Sequence, residues 1–72
     1  MANLRKKFGK RLHQLRKQNN YTQEGLAEEC EISVEFVSFM ERGIYAPSFE
    51  TLEKLSEVLE VPVKEFFDFS SE

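Results

Sequence analysis

Residues 22 to 43 read Thr22-Gln23-Glu24-Gly25-Leu26-Ala27-Glu28-Glu29-Cys30-Glu31-Ile32-Ser33-Val34-Glu35-Phe36-Val37-Ser38-Phe39-Met40-Glu41-Arg42-Gly43. Two helix starts and one helix stop lie inside this stretch. Thr22 is a good N-cap, because its hydroxyl can accept from an orphan amide of the first turn. Glu24 adds negative charge to that turn, which suits the helix dipole. The residue three after Thr22 is Gly25, so the reciprocal capping box is missing, and the glycine weakens the helix by up to ~1 kcal/mol relative to alanine. Leu26, Ala27 and Cys30 share one face, so the spacing predicts a short helix over residues 22 to 30. Cys30-Glu31-Ile32 is a brief break, and Ser33 is a second N-cap. Val37 and Met40 supply the inward face of the next helix, residues 33 to 42. Gly43 ends it, as glycine does just past a helix terminus.

On the N-terminal side, Leu4, Phe8, Leu12 and Leu15 recur at spacings of four, four and three, one apolar stripe on a helix over residues 3 to 18. The amide-rich Gln18-Asn19-Asn20 favours a helix end or turn. On the C-terminal side, Ile44-Tyr45-Ala46-Pro47 is a loop, and Ser48 is a third N-cap. Leu52, Leu55 and Leu59 mark the buried face of a helix over residues 48 to 59. Pro62 suits the first turn of a fifth helix, with Val63, Phe66 and Phe67 as its apolar face, and residues 68 to 72 form a tail. No strand-like alternation of useful length occurs. The expected fold is all-α, a compact five-helix bundle in one domain over residues 1 to 72 with its core at about residues 4 to 67.

Length and composition bound what such a domain can be. A chain of 72 residues buries only ~60% of the surface it exposes when unfolded. Apolar residues are 40% and charged residues 32%, a globular balance rather than a disordered one. The apolar runs are too short for a transmembrane helix, and the basic N-terminus lacks the apolar core of a secretory signal. One cysteine excludes an internal disulfide, and there is no Cys/His cluster for a structural metal. A reducing cytoplasm is the expected compartment. No small-molecule ligand or cofactor is implied. No nucleophile stands with a base and no carboxylate pair with a defined cleft, so an enzyme is the least favoured class.

The formal charge of -3 argues mildly against a phosphate-rich partner. That average conceals an asymmetry. Residues 1 to 20 hold seven of the ten basic residues and no acid, whereas residues 21 to 72 hold all thirteen acids. Such a split marks either an interaction surface or a solvated, lysine-rich helix.

A helix of about nine residues, a turn of about three and a second helix of about ten make a helix-turn-helix unit. Its second helix fits the major groove of B-DNA while the first braces it across the backbone. Taken alone this geometry is a weak signal, because short helix pairs are common. The residues strengthen it. Leu15-Arg16, Tyr21-Thr22-Gln23-Glu24-Gly25-Leu26-Ala27, Ile32-Ser33, Val37-Ser38-Phe39-Met40-Glu41-Arg42-Gly43, Ala46-Pro47-Ser48, Thr51-Leu52 and Val61-Pro62-Val63 with Phe66-Phe67 follow in order. This series resembles the phage-repressor-like (lambda-repressor-like) helix-turn-helix family, often called XRE, over about residues 8 to 67. No ligand-binding or enzymatic domain is expected beside it.

The resemblance implies roles residue by residue. Arg16 and Glu41 match an internal ion pair joining the first helix to the third; the alternative is a solvated pair worth under ~1 kcal/mol. Thr22 and Gln23 match positions that grip phosphate at a helix N-terminus, where simple capping is the alternative and both can hold together. Arg42 matches a phosphate-contacting position, with the Tyr45 hydroxyl nearby. Base reading falls to the start of the third helix, here Ser33, Val34, Glu35, Ser38 and Phe39, with Phe36 alongside. This set departs from the family's usual Gln, Arg, Asn or Ser. It has no bidentate amide or guanidinium for adenine or guanine, although Glu35 can accept from cytosine N4 and Val34 or Phe39 can touch a thymine methyl. The aromatic at position 36 resembles members that control restriction-modification operons. Family members commonly dimerise near the last helix, so Phe66, Phe67 and Phe69 are expected at a dimer interface, with one ring inside the monomer and one at the seam.

Two readings follow. One is a homodimeric regulator on the palindromic operator of double-stranded DNA. The other is a protein-interaction module, antitoxin-like or adaptor, that presents Val34, Phe36 and Phe39 to a protein. The remaining chemistry-bearing residues read blandly. His13 is expected at the surface, Cys30 and Met40 in the core, and Glu28, Glu29 and Glu31 on a solvated face. If the backbone at Glu31 needs positive φ, strain of order 1 kcal/mol is expected there.

Overall fold

A computed structural model describes residues 3–70. It holds four α-helices, α1 (Leu4–Gln18), α2 (Gln23–Cys30), α3 (Val34–Glu41) and α4 (Phe49–Leu59), followed by a 3-10 helix at Val63–Phe67. The expected fifth α-helix is therefore corrected. Five residues after Pro62 close only the tighter i→i+3 turns, such as Glu65 N–H to the Pro62 carbonyl at 2.9 Å. Ser71 and Glu72 of the expected tail lie outside the described residues.

Three helices start on a hydroxyl. Thr22 accepts from the Gly25 amide at 2.9 Å, Ser33 from Phe36 at 3.0 Å and Ser48 from Thr51 at 3.1 Å. Each satisfies one of the donors that a first turn leaves unpaired. All four α-helices also end alike. The residue after the last turn adopts positive φ, at Asn20 (63°), Glu31 (60°), Gly43 (78°) and Glu60 (57°). The next amide reaches back to the helix, as Ile32 N–H does to the Ala27 carbonyl at 3.0 Å. This is the Schellman ending, which favours glycine. Glu31 and Glu60 hold it at the steric cost of a Cβ. Glu31→Gly is therefore expected to stabilise the fold by about 1 kcal/mol, raising Tm by roughly 4–8 °C in a domain of this size. A scanning calorimetry trace with unchanged or lowered Tm would show that the left-handed glutamate is not strained.

The core draws on every element: Phe8, Leu12 and Leu15 of α1, Leu26, Ala27 and Cys30 of α2, Val37 and Met40 of α3, Leu52, Leu55 and Leu59 of α4, and Phe66. Burial pushes the Cys30 thiol up to about 11, so it behaves as a small hydrophobe rather than a nucleophile. Leu4 departs from its expected place on the stripe. It is exposed because the apolar surface it covers lies at the edge of the bundle.

Of the two adjacent rings expected to divide between core and seam, Phe66 is the inner one. It is fully buried and packs tilted against Phe8, with ring centroids 5.8 Å apart. It closes the monomer's core. Arg11 pins this region to α1. Its Nε donates to the Glu65 carbonyl at 2.7 Å, and an Nη donates to the Glu65 carboxylate at 2.9 Å. Gly9 sets the crossing of α1 and α3. A Cβ there would meet the Met40 carbonyl oxygen and, at 2.6 Å, that of Glu41, so only glycine lets the two backbones approach this closely.

Candidate nucleic-acid interface

Glu41, in the last turn of α3, is the hub of the polar centre. Arg16 donates its Nε to one carboxylate oxygen at 2.6 Å and an Nη to the other at 3.1 Å. The Gln23 amide donates to the second oxygen at 3.1 Å. His13 Nδ1 lies 3.0 Å from the same oxygen and 3.1 Å from an Arg16 Nη. Protonated, that nitrogen donates to Glu41; unprotonated, it accepts from Arg16. Arg16 further donates to the Tyr21 carbonyl at 2.8 Å, tying α1 to the turn before α2. The Arg16 and Glu41 side chains are only 8% and 6% exposed, so their charges pair in a poorly solvated setting. Burial pushes the Glu41 carboxyl up. The hydrogen bonds from Arg16, His13 and Gln23, with the Arg16 charge, outweigh burial and hold it below its ordinary value of 4.5.

Above this hub opens a cleft of about 440 Å³, lined by Lys10, His13, Gln14, Gln23, Ser38, Glu41 and Arg42. Arg16 compensates the Glu41 charge from below, so the cleft presents Lys10, Arg42 and two side-chain amides to solvent. That donor set suits an anionic oxygen. Lys10, His13 and Gln14 were not singled out for this role by sequence reasoning. His13 is half exposed, as a surface residue would be, yet it belongs to the buried ion-pair network. The only signal in the sequence was the i, i+3 spacing of Lys10, His13 and Arg16 along one helix face.

The outward face of α3 carries the other expected residues. Ser33 is exposed and occupied as a cap. Val34, Ser38 and Phe39 are half-buried, Glu35 is exposed, and Arg42 is exposed just beyond the helix. Among the described residues no hydrogen bond or ion pair engages the Glu35 carboxylate. Phe39 is held between two neighbours. Tyr45 meets it edge-on with centroids 5.1 Å apart, and the Arg42 guanidinium lies 5.7 Å from its centroid. Phe36 leans on the same tyrosine at 6.3 Å. Thr22 sits exposed at the start of α2, its hydroxyl occupied as a cap.

A separate apolar groove of about 210 Å³ lies away from this face, lined by Leu4, Arg5, Phe8, Ala46, Pro47, Phe49, Leu52 and Phe67. Phe49 is 83% exposed beside it. Phe69 is half-buried, packing edge-on against Phe67 at 6.4 Å with the Lys7 ammonium 5.6 Å from its centroid.

Two short helices joined by a tight turn, braced by α1 through a buried ion pair and opening beside a donor-lined cleft, define a DNA-binding helix-turn-helix protein. The chain belongs to the family described as HTH_3, Helix-turn-helix, whose model matches residues 12–66. It is 37% identical over 70 residues to the control protein C.BamHI of Bacillus amyloliquefaciens, covering 96% of this chain and 86% of that protein. It is also 37% identical over 62 residues to the transcriptional regulator SinR of Bacillus subtilis, covering 85% of this chain but 56% of SinR. Among solved structures it is similar to the restriction-modification controller protein C.AhdI of Aeromonas hydrophila, with a TM-score of 0.85 and 34% identity, covering 93% of this chain and 100% of that one. The resemblance seen in the sequence is thus a family membership, and the family's work is transcription regulation, not catalysis.

Proposed function

We propose that this chain is a sequence-specific transcriptional regulator that acts as a homodimer on a palindromic operator in the cytoplasm, and that residues 4 to 67 form the core of its one domain. The observation that carries this reading is the juxtaposition of the donor-lined cleft with the exposed face of α3. A duplex seated on α3 places a phosphate over the cleft. Thr22, Gln23 and Arg42 hold it there, with Lys10 and His13 added from α1. Val34, Glu35, Ser38 and Phe39, with Ser33 at the helix start, face the base edges. Phosphate contacts set register and carry no sequence information, whereas the α3 side chains do. For the dimer, Phe67 and Phe69 remain from the expected seam, joined by Leu4 and Phe49 around the apolar groove. Two-fold pairing would set two copies of α3 one DNA turn apart, matching half-sites ~34 Å apart.

Selection from a pool of random duplexes tests the whole reading. One palindromic motif should be enriched, with affinity falling steeply as salt rises through counterion release. An absence of enriched sequence and of salt-dependent binding at ~100 mM salt and micromolar protein would leave the protein-interaction reading in its place. The assigned roles predict different signatures. Gln23→Ala should weaken every sequence by a similar factor, about tenfold for one lost hydrogen bond to a charged acceptor, with the salt slope unchanged. Arg42→Ala should weaken every sequence and reduce that slope by about one. Anisotropy titrations at several salt concentrations separate the two.

A further inference from the structure

We propose that the reading face of α3 recognises 5-methylcytosine. The inference rests on α3 being the base-contacting helix and goes beyond it to the base. Glu35 is exposed at the start of α3 and is unengaged among the described residues. A carboxylate only accepts, and on the major-groove edges cytosine offers the N4 amino donor, whereas thymine presents the O4 acceptor at the same place. Glu35 therefore selects cytosine and repels thymine.

Its neighbours on the same face ask for something else. Phe39 lies one turn on from Glu35, at the i+4 position that stands beside it, and Val34, which precedes Glu35, is packed on one side against the core and open only in part. The Phe39 ring is flanked edge-on by Tyr45 and by the Arg42 guanidinium, and its half-buried remainder offers an apolar surface. Ser38, between them, is small enough to let a base edge approach. An apolar surface is matched by a methyl group at C5 of a pyrimidine. Thymine supplies the methyl with the wrong polar partner, and plain cytosine supplies the amino group without the methyl. Only 5-methylcytosine carries both, on adjacent ring atoms. The guanidinium nearest this face, Arg42, lies over Phe39, which leaves the carboxylate and the apolar pair to do the reading.

The test uses the whole chain and two random duplex pools, one ordinary and one with every cytosine replaced by 5-methylcytosine. The motif recovered from the methylated pool should contain a cytosine in each half-site. Methylating that one position should tighten binding about fourfold or more, the gain expected when one methyl leaves water. Glu35→Gln, an exposed and nearly isosteric change, should erase the discrimination between 5-methylcytosine and thymine there, because a carboxamide serves either N4 or O4. A motif in which methylation of every cytosine is neutral or weakening would overturn the proposal. So would preference for a cytosine next to a thymine, since Glu35 and the apolar pair would then read separate bases. Binding to neither pool would overturn the DNA reading itself, an outcome distinct from a bound but methyl-indifferent operator.

Discussion

Gly9→Ala is expected to destabilise the protein by about 2–3 kcal/mol, although alanine is the better helix former. Position 9 lies within α1, where the exchange by itself would favour the helix by up to ~1 kcal/mol. The opposing effect is steric. The new methyl would point at the Met40 and Glu41 carbonyl oxygens, the second at 2.6 Å. These are backbone atoms at the C-terminal end of α3, the Met40 carbonyl already accepting from the Gly43 amide at 3.1 Å, and they cannot rotate away as a side-chain tip can. The helices must move apart, which costs in the range of 1–3 kcal/mol or more for an overpacked contact. The shift would also disturb Glu41, whose hydrogen bonds to Arg16 span the same crossing. Urea denaturation should show the midpoint falling with the m-value unchanged. A stabilised Gly9→Ala protein would mean that α1 and α3 are not in backbone contact.

That glycine could not have been singled out from the sequence. Its constraint comes from carbonyls more than thirty residues away, and nothing local marks it. His13 is a parallel case, because its partner Glu41 is distant in the chain. Local features fared better. The hydroxyl caps at Thr22, Ser33 and Ser48 placed three helix starts to within a residue, since a cap acts only on its own first turn. The apolar spacing found α1 and α4 for the same reason, and positive φ at Glu31 follows from how tightly α2 must end. The stretch after Pro62 was harder. Whether it turns as an α- or a 3-10 helix decides which of Phe66 and Phe67 points inward, and two adjacent phenylalanines carry no periodicity to choose between them. Both rings pack on Phe8, Phe66 at 5.8 Å and Phe67 at 5.7 Å, but only Phe66 is fully enclosed while Phe67 stays 38% exposed. The whole-chain charge was the least informative feature for the site. Two of the seven basic residues near the N-terminus, Arg11 and Arg16, are used to hold the fold together. Lys10 reaches the cleft, and Glu41, though an acid on α3, is compensated from beneath.

Glu41→Gln is expected to cost about 3 kcal/mol or more at neutral pH, within the range for breaking one side of a buried ion pair. The shape is nearly preserved, so the loss is electrostatic. Arg16 would keep its charge at 8% side-chain exposure with only a neutral partner. The pH dependence separates this from a packing defect. The folded carboxyl titrates below the ordinary glutamate value of 4.5, so the wild type carries the pair's stabilisation in full above that value. It loses the stabilisation as the pH falls through the folded pKa, because the unfolded chain then binds a proton that the folded chain resists. The glutamine variant has no such proton to take up. The stability gap between the two proteins should therefore be constant above about pH 5.5 and narrow below 4.5. A packing defect would leave it constant throughout. A gap under ~1 kcal/mol at neutral pH would mean that the pair behaves as an exposed one. Replacing Arg16 and Glu41 together by methionine and leucine should recover much of the loss, since an apolar pair leaves no buried charge behind. That rescued protein would fold without the hub that orients Gln23. Its DNA affinity should stay low for every sequence, dividing the network's part in stability from its part in binding.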